Sequence, residues 1–211
     1  AIAGETHNGL YLSGYLIGTA RTRSSNKAVT DSAAGGTAIS SGYRTVNSRV
    51  GMDPDGVPRP SLLEAAQADG KATGIVTTSY WTDATPAAFA AHVKTRGQTD
   101  RIAAQMLRHN LDLLLGGGSD GDSTGSVTAE QEGYTVVTDA ESLAAAVARG
   151  EKRIWSRFGE AGKPMETDRK PSTQPTLLEM TAAAIAVLSA DADGFFLLVE
   201  GGCVDTKAHA Q

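Results

Sequence analysis

Apolar residues fall in short runs of about four to eight positions, separated by polar or glycine-containing breaks. In TDSAAGGTAISSG a polar cap, either Asp31 or Ser32, opens a predicted helix that reaches about Ser41 and stops at Gly42. Gly35 and Gly36 weaken it as an isolated helix. RPSLLEAAQADG predicts a second helix. Ser61 and Glu64 form its capping box, Leu62, Leu63 and Ala66 its apolar face, and Gly70 its end. ATGIVTT reads as a short β-branched strand. TDATPAAFAAHV then reads as a helix capped by Thr85 with Pro86 in its first turn.

Beyond it, Arg101 to Arg108 predicts a helix and LDLLLGGG a buried strand. GYTVVTDAESLAAAVARG is strand, cap, helix and stop; TLLEMTAAAIAVLS is an amphipathic helix. GFFLLVEGG is a wholly apolar strand ending on the carboxylate of Glu200. Residues 119–132 and 156–174 read as irregular and polar, the first 28 residues show no obvious opening strand, and no internal repeat is present. Alternating helices with apolar strands predict an α/β fold: three layers, α/β/α, around a mainly parallel central sheet. Ligands in such folds bind at the carboxyl ends of the strands, and the residues suited to chemistry fall there.

Composition narrows the function classes. The chain has 211 residues, enough for one domain or a large part of one. With 40% hydrophobic and 20% charged residues it is neither disordered nor a membrane composition, and no apolar run approaches the roughly 18 residues that cross a bilayer. A net charge of −5 without a long basic run gives no support to a nucleic-acid partner. Anions must then be met by locally concentrated positive charge, for which a metal cluster is one route. Cys203, the single cysteine, excludes an intrachain disulfide and leaves the compartment open. The opening AIAGETHNGLYLSG lacks a basic stretch followed by a sustained apolar core, so a signal peptide is expected to be absent or removed.

Three constellations carry candidate chemistry. In VTDSAAGGT, a serine at a helix start lies where backbone N–H groups and the helix dipole favour an anion, and nearby glycines admit a phosphate. Asp31 or Ser32 could equally be a simple cap. Ser32 has no neighbouring histidine and no G-x-S-x-G flanks; sequence distance does not exclude a Ser-His-Asp triad, and metal coordination is another route to an activated alkoxide. In FFLLVEGGCVDTKAHA, Asp205 and His209 share one face of any helix beginning near Asp205, a spacing that suits Zn2+, while Glu200 with hydroxyl partners suits Mg2+. The alternative is a capped surface helix with an exposed histidine. In TDATPAAFAAHVKTR, Arg96 is either a surface charge or a fork that clamps phosphate oxygens. His92 reads as a structural histidine on the apolar side of its helix; His7 and His109 stand in no cluster and read the same way.

Taken in series, these segments resemble bacterial alkaline phosphatases. VTDSAAGGTAISSG is similar to that family's nucleophile signature. SLLEAAQADGKATGIVTTSYWTDATPAAFAAHVKTR, LDLLLGGG, GYTVVTDAESL, PTLLEMT and GFFLLVEGGCVDTKAHA follow in the family's order, from about residue 10 to the end. The resemblance implies a phosphomonoesterase with two Zn2+ and one Mg2+, in which Ser32 becomes phosphoserine and Arg96 binds the phosphate. It implies Asp205 and His209 as ligands of the first zinc, Ser32 facing the second zinc, and Thr85 and Glu200 as magnesium ligands. Asp83 resembles a carboxylate behind that metal, and Asp31 flanks the nucleophile. Small phosphomonoester substrates and inorganic phosphate, a homodimer, and a periplasmic or secreted location are family expectations.

Two departures accompany it. Thr206 stands where the family often has a basic or aromatic residue, with Lys207 one position on. The family's opening strand with its Asp-Gly-Met-Gly-like turn, and its later Asp-His pair and final histidine, have no match in residues 1–211. The expectation is therefore an incomplete alkaline-phosphatase-like fold. The alternatives are a catalytically inactive phosphate- or metal-binding remnant, and a phosphodiesterase or sulfatase of the same superfamily. The Ser32-to-Thr37 spacing and Arg96 weigh against the latter.

Overall fold

A computed structural model describes residues 15, 17–18, 21–118, 129–158 and 173–209. Most of the first 28 residues' N-terminal part, His7, much of the 119–132 and 156–174 segments, and the side chains of Thr206 and Lys207 lie outside the described residues. The helices are α1 (Ser32–Ser41), α2 (Leu62–Ala68), α3 (Ala84–Ala90), α4 (Thr99–Arg108), α5 (Ala140–Ala148), α6 (Leu177–Leu188) and α7 (Cys203–His209). The strands are β1 (Ala72–Tyr80), β2 (Leu113–Gly117), β3 (Thr135–Val137), β4 (Ile154–Ser156) and β5 (Phe195–Glu200). They form a five-stranded sheet in the order β3-β4-β2-β1-β5, every pairing parallel.

Alternation along the strands separates two cores. Ile75, Leu114 and Trp155 point to one face, where they pack with Ala33 of α1, Leu63 of α2, Ala87 of α3 and Ile102 and Met106 of α4. Val76, Leu113, Leu115 and Ile154 point to the other, against Leu143 of α5 and Met180, Ala184 and Leu188 of α6. The result is the expected three-layer α/β/α arrangement. Buried on both sides, β2 is apolar throughout, while β1 fills the same kind of position with β-branched residues, Thr73, Thr77 and Thr78 buried beside Ile75 and Val76.

Local chemistry sets the helix ends. The Ser61–Glu64 capping box forms, and Thr176–Glu179 and Asp139–Ser142 form two more. Asp31, not Ser32, caps α1, its Oδ1 accepting from Ala34 N at 2.9 Å. Asp83, not Thr85, caps α3, so Thr85 and Pro86 fall inside the first turn, where the missing N–H of proline costs no helical bond. His92 lies beyond α3, whose C-cap is Ala91.

Two strands differ from expectation. β4 is three residues long and lies among charged neighbours, too short to show a period. β5 is wholly apolar up to Glu200, yet Phe195 and Val199 are exposed, because among the described residues it pairs only with β1 and forms the sheet edge.

Gly36 has a packing role beyond its weak helix propensity. A Cβ there would lie 3.1 Å from Ala88 Cβ and 3.3 Å from Thr85 Cα, so the missing side chain lets α1 lie directly on α3. Gly36→Val is expected to reduce stability by about 1–3 kcal/mol through overpacking. A shift of the urea midpoint at unchanged m-value would show it; an unshifted midpoint would mean the two helices part without cost.

Candidate active site

The carboxyl ends of β1 and β5 and the amino end of α1 converge on one cleft. Asp31 leads into α1 and is held by backbone groups on both oxygens: Ala34 N on Oδ1 and, at 2.7 Å, Ser48 N on Oδ2. Ser32 follows as the first helical residue and is exposed. An anion beside it would sit at the positive end of the helix dipole.

β1 ends close to α3. Asp83 Oδ1 accepts from Ala84 N at 2.7 Å and from Arg96 Nη2 at 2.6 Å, and its Oδ2 accepts from Ser79 Oγ at 3.1 Å. The Arg96–Asp83 pair is about one-third exposed on each side (36% and 33%), so it holds the guanidinium in place without contributing much stability.

The parallel register of β1 and β5 sets Thr77 opposite Glu200, and the Thr77 hydroxyl donates to Glu200 Oε2 at 2.7 Å. Burial pushes the Glu200 carboxyl above its ordinary value. Hydrogen bonds from Thr77 and Thr85 oppose the shift, and the charges of Asp83 and Asp205 reinforce it. Past Glu200 the chain turns at Gly202, where a Cβ would come within 2.8 Å of Ser79 Cβ, so only glycine fits against the end of β1. α7 then carries Asp205 and His209 on one face, His209 Nε2 lying 3.5 Å from Asp205 Oδ1. Both are largely exposed.

All eight residues singled out in the sequence, Asp31, Ser32, Asp83, Thr85, Arg96, Glu200, Asp205 and His209, line this single open cleft of about 890 Å³. Its lining holds the carboxylates of Asp31, Asp83, Glu200 and Asp205 against the guanidinium of Arg96. A phosphate dianion would be repelled there unless cations were added. The donors suit such cations in kind: carboxylate with imidazole for zinc, carboxylate with hydroxyls for magnesium. In number they fall short, since no group of three or more His, Cys, Asp or Glu that could hold a metal ion occurs among the described residues.

Several partners were not legible in advance. Thr77 and Ser79 support Glu200 and Asp83 from within β1, and Ser48 reaches Asp31 from a distant loop. His92 is structural, as expected, with Nδ1 2.6 Å from Gly51 O and Nε2 2.9 Å from Glu64 Oε1. His109 is structural too, as expected, and it meets His92 on one carboxylate, which sequence spacing does not show: His109 Nε2 lies 3.0 Å from the same Glu64 oxygen. Neither histidine lines the cleft.

A family model described as alkaline phosphatase matches residues 6–211. The chain belongs to the alkaline phosphatase family. It is 38% identical to alkaline phosphatase 4 of Bacillus subtilis over 191 residues, covering 86% of this chain and 41% of that one. Among solved structures, the cold-active alkaline phosphatase of a psychrophilic Shewanella species superposes with a TM-score of 0.83 at 31% identity, covering 90% of this chain and 47% of the other. A mutant of the TAB5 alkaline phosphatase, solved with Mg bound in its M3 site, superposes with a TM-score of 0.76 at 31% identity, covering 90% of this chain and 55% of that one. The chain thus spans 41% to 55% of the length of these relatives.

Proposed function

We propose that this chain carries the nucleophile side of a phosphomonoesterase active site, and that hydrolysis proceeds through a phosphoserine on Ser32. The observation that carries the reading is the convergence of Ser32, Arg96 and the candidate metal donors on one cleft at the carboxyl ends of β1 and β5. The Ser32 hydroxyl oxygen attacks phosphorus in line with the leaving oxygen; the bond from phosphorus to that oxygen breaks as the new one forms, the serine proton passes to solvent water, and the alcohol leaves after taking up a proton from water. Arg96, already oriented by Asp83, swings or shares its fork to bind two phosphate oxygens and stabilises the charge that spreads over them. Water then attacks the phosphoserine from the opposite side, and two in-line displacements leave the configuration at phosphorus retained.

Asp205 and His209 would hold one Zn2+, Ser32 would face a second, and Thr85 and Glu200 would hold Mg2+. When bound, such cations supply the positive charge that a phosphate needs in this acidic cleft and acidify hydroxyl groups beside it. The remaining ligands would come from parts of the protein outside this chain, a reading supported by the fraction of each relative that the chain covers. Substrates would be small phosphomonoesters, with inorganic phosphate as product. A homodimeric assembly and a periplasmic or secreted location rest on the family resemblance.

A second reading, an inactive phosphate- or metal-binding remnant, is favoured by one observation: the short donor count among the described residues. Intact mass and turnover separate the two. The protein should hydrolyse a chromogenic phosphomonoester with Zn2+ and Mg2+, lose activity in chelator, and regain it when the metals return. Material no larger than the 211-residue chain that stays inactive after metal addition would favour the remnant.

A further inference from the structure

The helix bearing Ser32 and the segment bearing Arg96 are joined through a strap formed by residues 47–51. Asn47 Oδ1 accepts from Asp31 N at 3.3 Å, and Thr37 Oγ1 on α1 accepts from Gly51 N at 2.9 Å. On the other side, Val50 and Val93 form an antiparallel pair, with N–H to O distances of 3.1 and 3.0 Å, and His92 Nδ1 faces Gly51 O at 2.6 Å. Ser48 alone on this strap touches both ends of the site directly. Its N–H donates to Asp31 Oδ2 at 2.7 Å, and its carbonyl accepts from Arg96 N at 2.7 Å.

That double contact depends on backbone conformation. An extended residue turns its N–H and C=O to the same side of the chain, as paired strands require. A helical-type residue turns them in opposite directions. Ser48 has φ +70°, the left-handed counterpart, so one residue reaches the cap of α1 in one direction and the Arg96 backbone in the other. A residue bearing a side chain adopts this region at a cost and keeps it where its surroundings demand it. Here the demand comes from Asp31 and Arg96.

We propose that Ser48 is a positioning residue whose left-handed backbone sets the separation between the Ser32 hydroxyl and the Arg96 guanidinium. Its kinetic consequence rests on the phosphomonoesterase reading; its structural consequence does not. The link is short: the Ser48 N–H fixes the carboxylate that caps α1 one residue before Ser32, and the Ser48 carbonyl fixes the backbone from which Arg96 projects. A change of φ at residue 48 moves one contact or the other, and displacement of a binding group by about 1 Å can reduce a rate on the order of a hundredfold.

The test compares Ser48→Gly and Ser48→Val in the intact, metal-loaded protein. Glycine keeps both backbone groups and takes the left-handed region freely; valine, branched at Cβ, resists it. Ser48→Gly is expected to stay within about twofold of the unsubstituted protein in kcat/KM and in inhibition by inorganic phosphate. Ser48→Val is expected to lower kcat/KM and to weaken phosphate inhibition, each by about tenfold or more, at temperatures where it remains folded. Amide hydrogen exchange at Ser48 and Arg96 provides a readout independent of turnover: protection should persist in the glycine variant and fall in the valine variant. If Ser48→Val does not fold, Ser48→Ala takes its place with the same direction and a smaller size of effect. The proposal is overturned if the bulky variant lowers only the thermal midpoint with kinetics and exchange unchanged, or if glycine impairs the protein as much as valine. Absence of turnover in the unsubstituted protein would overturn the phosphomonoesterase reading, while the exchange pattern would still decide the role of Ser48.

Discussion

Ser32→Ala in the intact protein is expected to abolish trapping of a phosphorylated serine and to lower kcat/KM on the order of a thousandfold or more, since removal of a nucleophile eliminates the covalent route outright. Other hydroxyls in the cleft do not stand in for it. Thr30 precedes the cap of α1, outside the helix start, and Thr85 is directed toward Glu200. Fold should be unaffected, because Ser32 is exposed and Asp31, not Ser32, caps α1. Any residual hydrolysis must then come from direct attack by water on the substrate. One displacement replaces two, so residual product should show inversion at phosphorus where the unsubstituted protein shows retention. Chirally labelled phosphate distinguishes the outcomes. Labelled phosphoserine persisting in the variant, or retention in its residual activity, would move the nucleophile to another residue.

Much of the route to this site could be read from the sequence, and the exceptions have physical causes. The helix behind Ser32 announces itself by a polar start and a stop at Gly42, which indeed adopts φ +75°. Which of Asp31 and Ser32 caps it could not be read, because both side chains suit the position. The same ambiguity affected the TDAT stretch, where Asp83 took the cap expected of Thr85. Nothing in the apolar run of β5 reveals that it pairs only with β1 among the described residues, since a strand's neighbours are chosen by tertiary packing rather than by its own pattern. β4 has no signature in the sequence, because three residues carry no period. The contacts of Ser48 were invisible for another reason: they run through its backbone, and a positive φ at serine has no compositional signature. The largest omission, the meeting of His92 and His109 on Glu64, joins positions 28 and 45 residues from the glutamate, a distance over which sequence spacing predicts nothing.

That meeting sets the second large effect. Glu64→Ala is expected to destabilise the protein by about 2–3 kcal/mol, somewhat less than the 3–5 kcal/mol typical of breaking a buried pair, because the Glu64 side chain is 22% exposed. Burial pushes the Glu64 carboxyl up, but hydrogen bonds from His109, His92 and the Ser61 amide outweigh it and hold the group well below the usual carboxylate range. The Glu64 hydrogen bond holds His92 above its ordinary value, against the opposing effect of burial. The geometry demands this. A carboxylate and the Gly51 carbonyl both only accept, so His92 must donate from both nitrogens.

A histidine raised above its ordinary value of 6.5 contributes stability that is complete below that value and disappears as pH rises through the folded value. A carboxyl held below its ordinary 4.5 contributes above that value and loses its contribution as pH falls toward the folded one. Both terms are therefore complete between 4.5 and 6.5. Urea unfolding measured across pH should show stability falling on the alkaline side of this window, with the fall largely absent in Glu64→Ala. Equal slopes in the two proteins would remove His92 as the cause. As His92 loses its second proton it should keep the bond to the charged carboxylate, the stronger acceptor, and release the Gly51 carbonyl. Gly51 belongs to the strap that joins α1 to the Arg96 segment, so the first contact to weaken at alkaline pH is one that braces the two sides of the cleft.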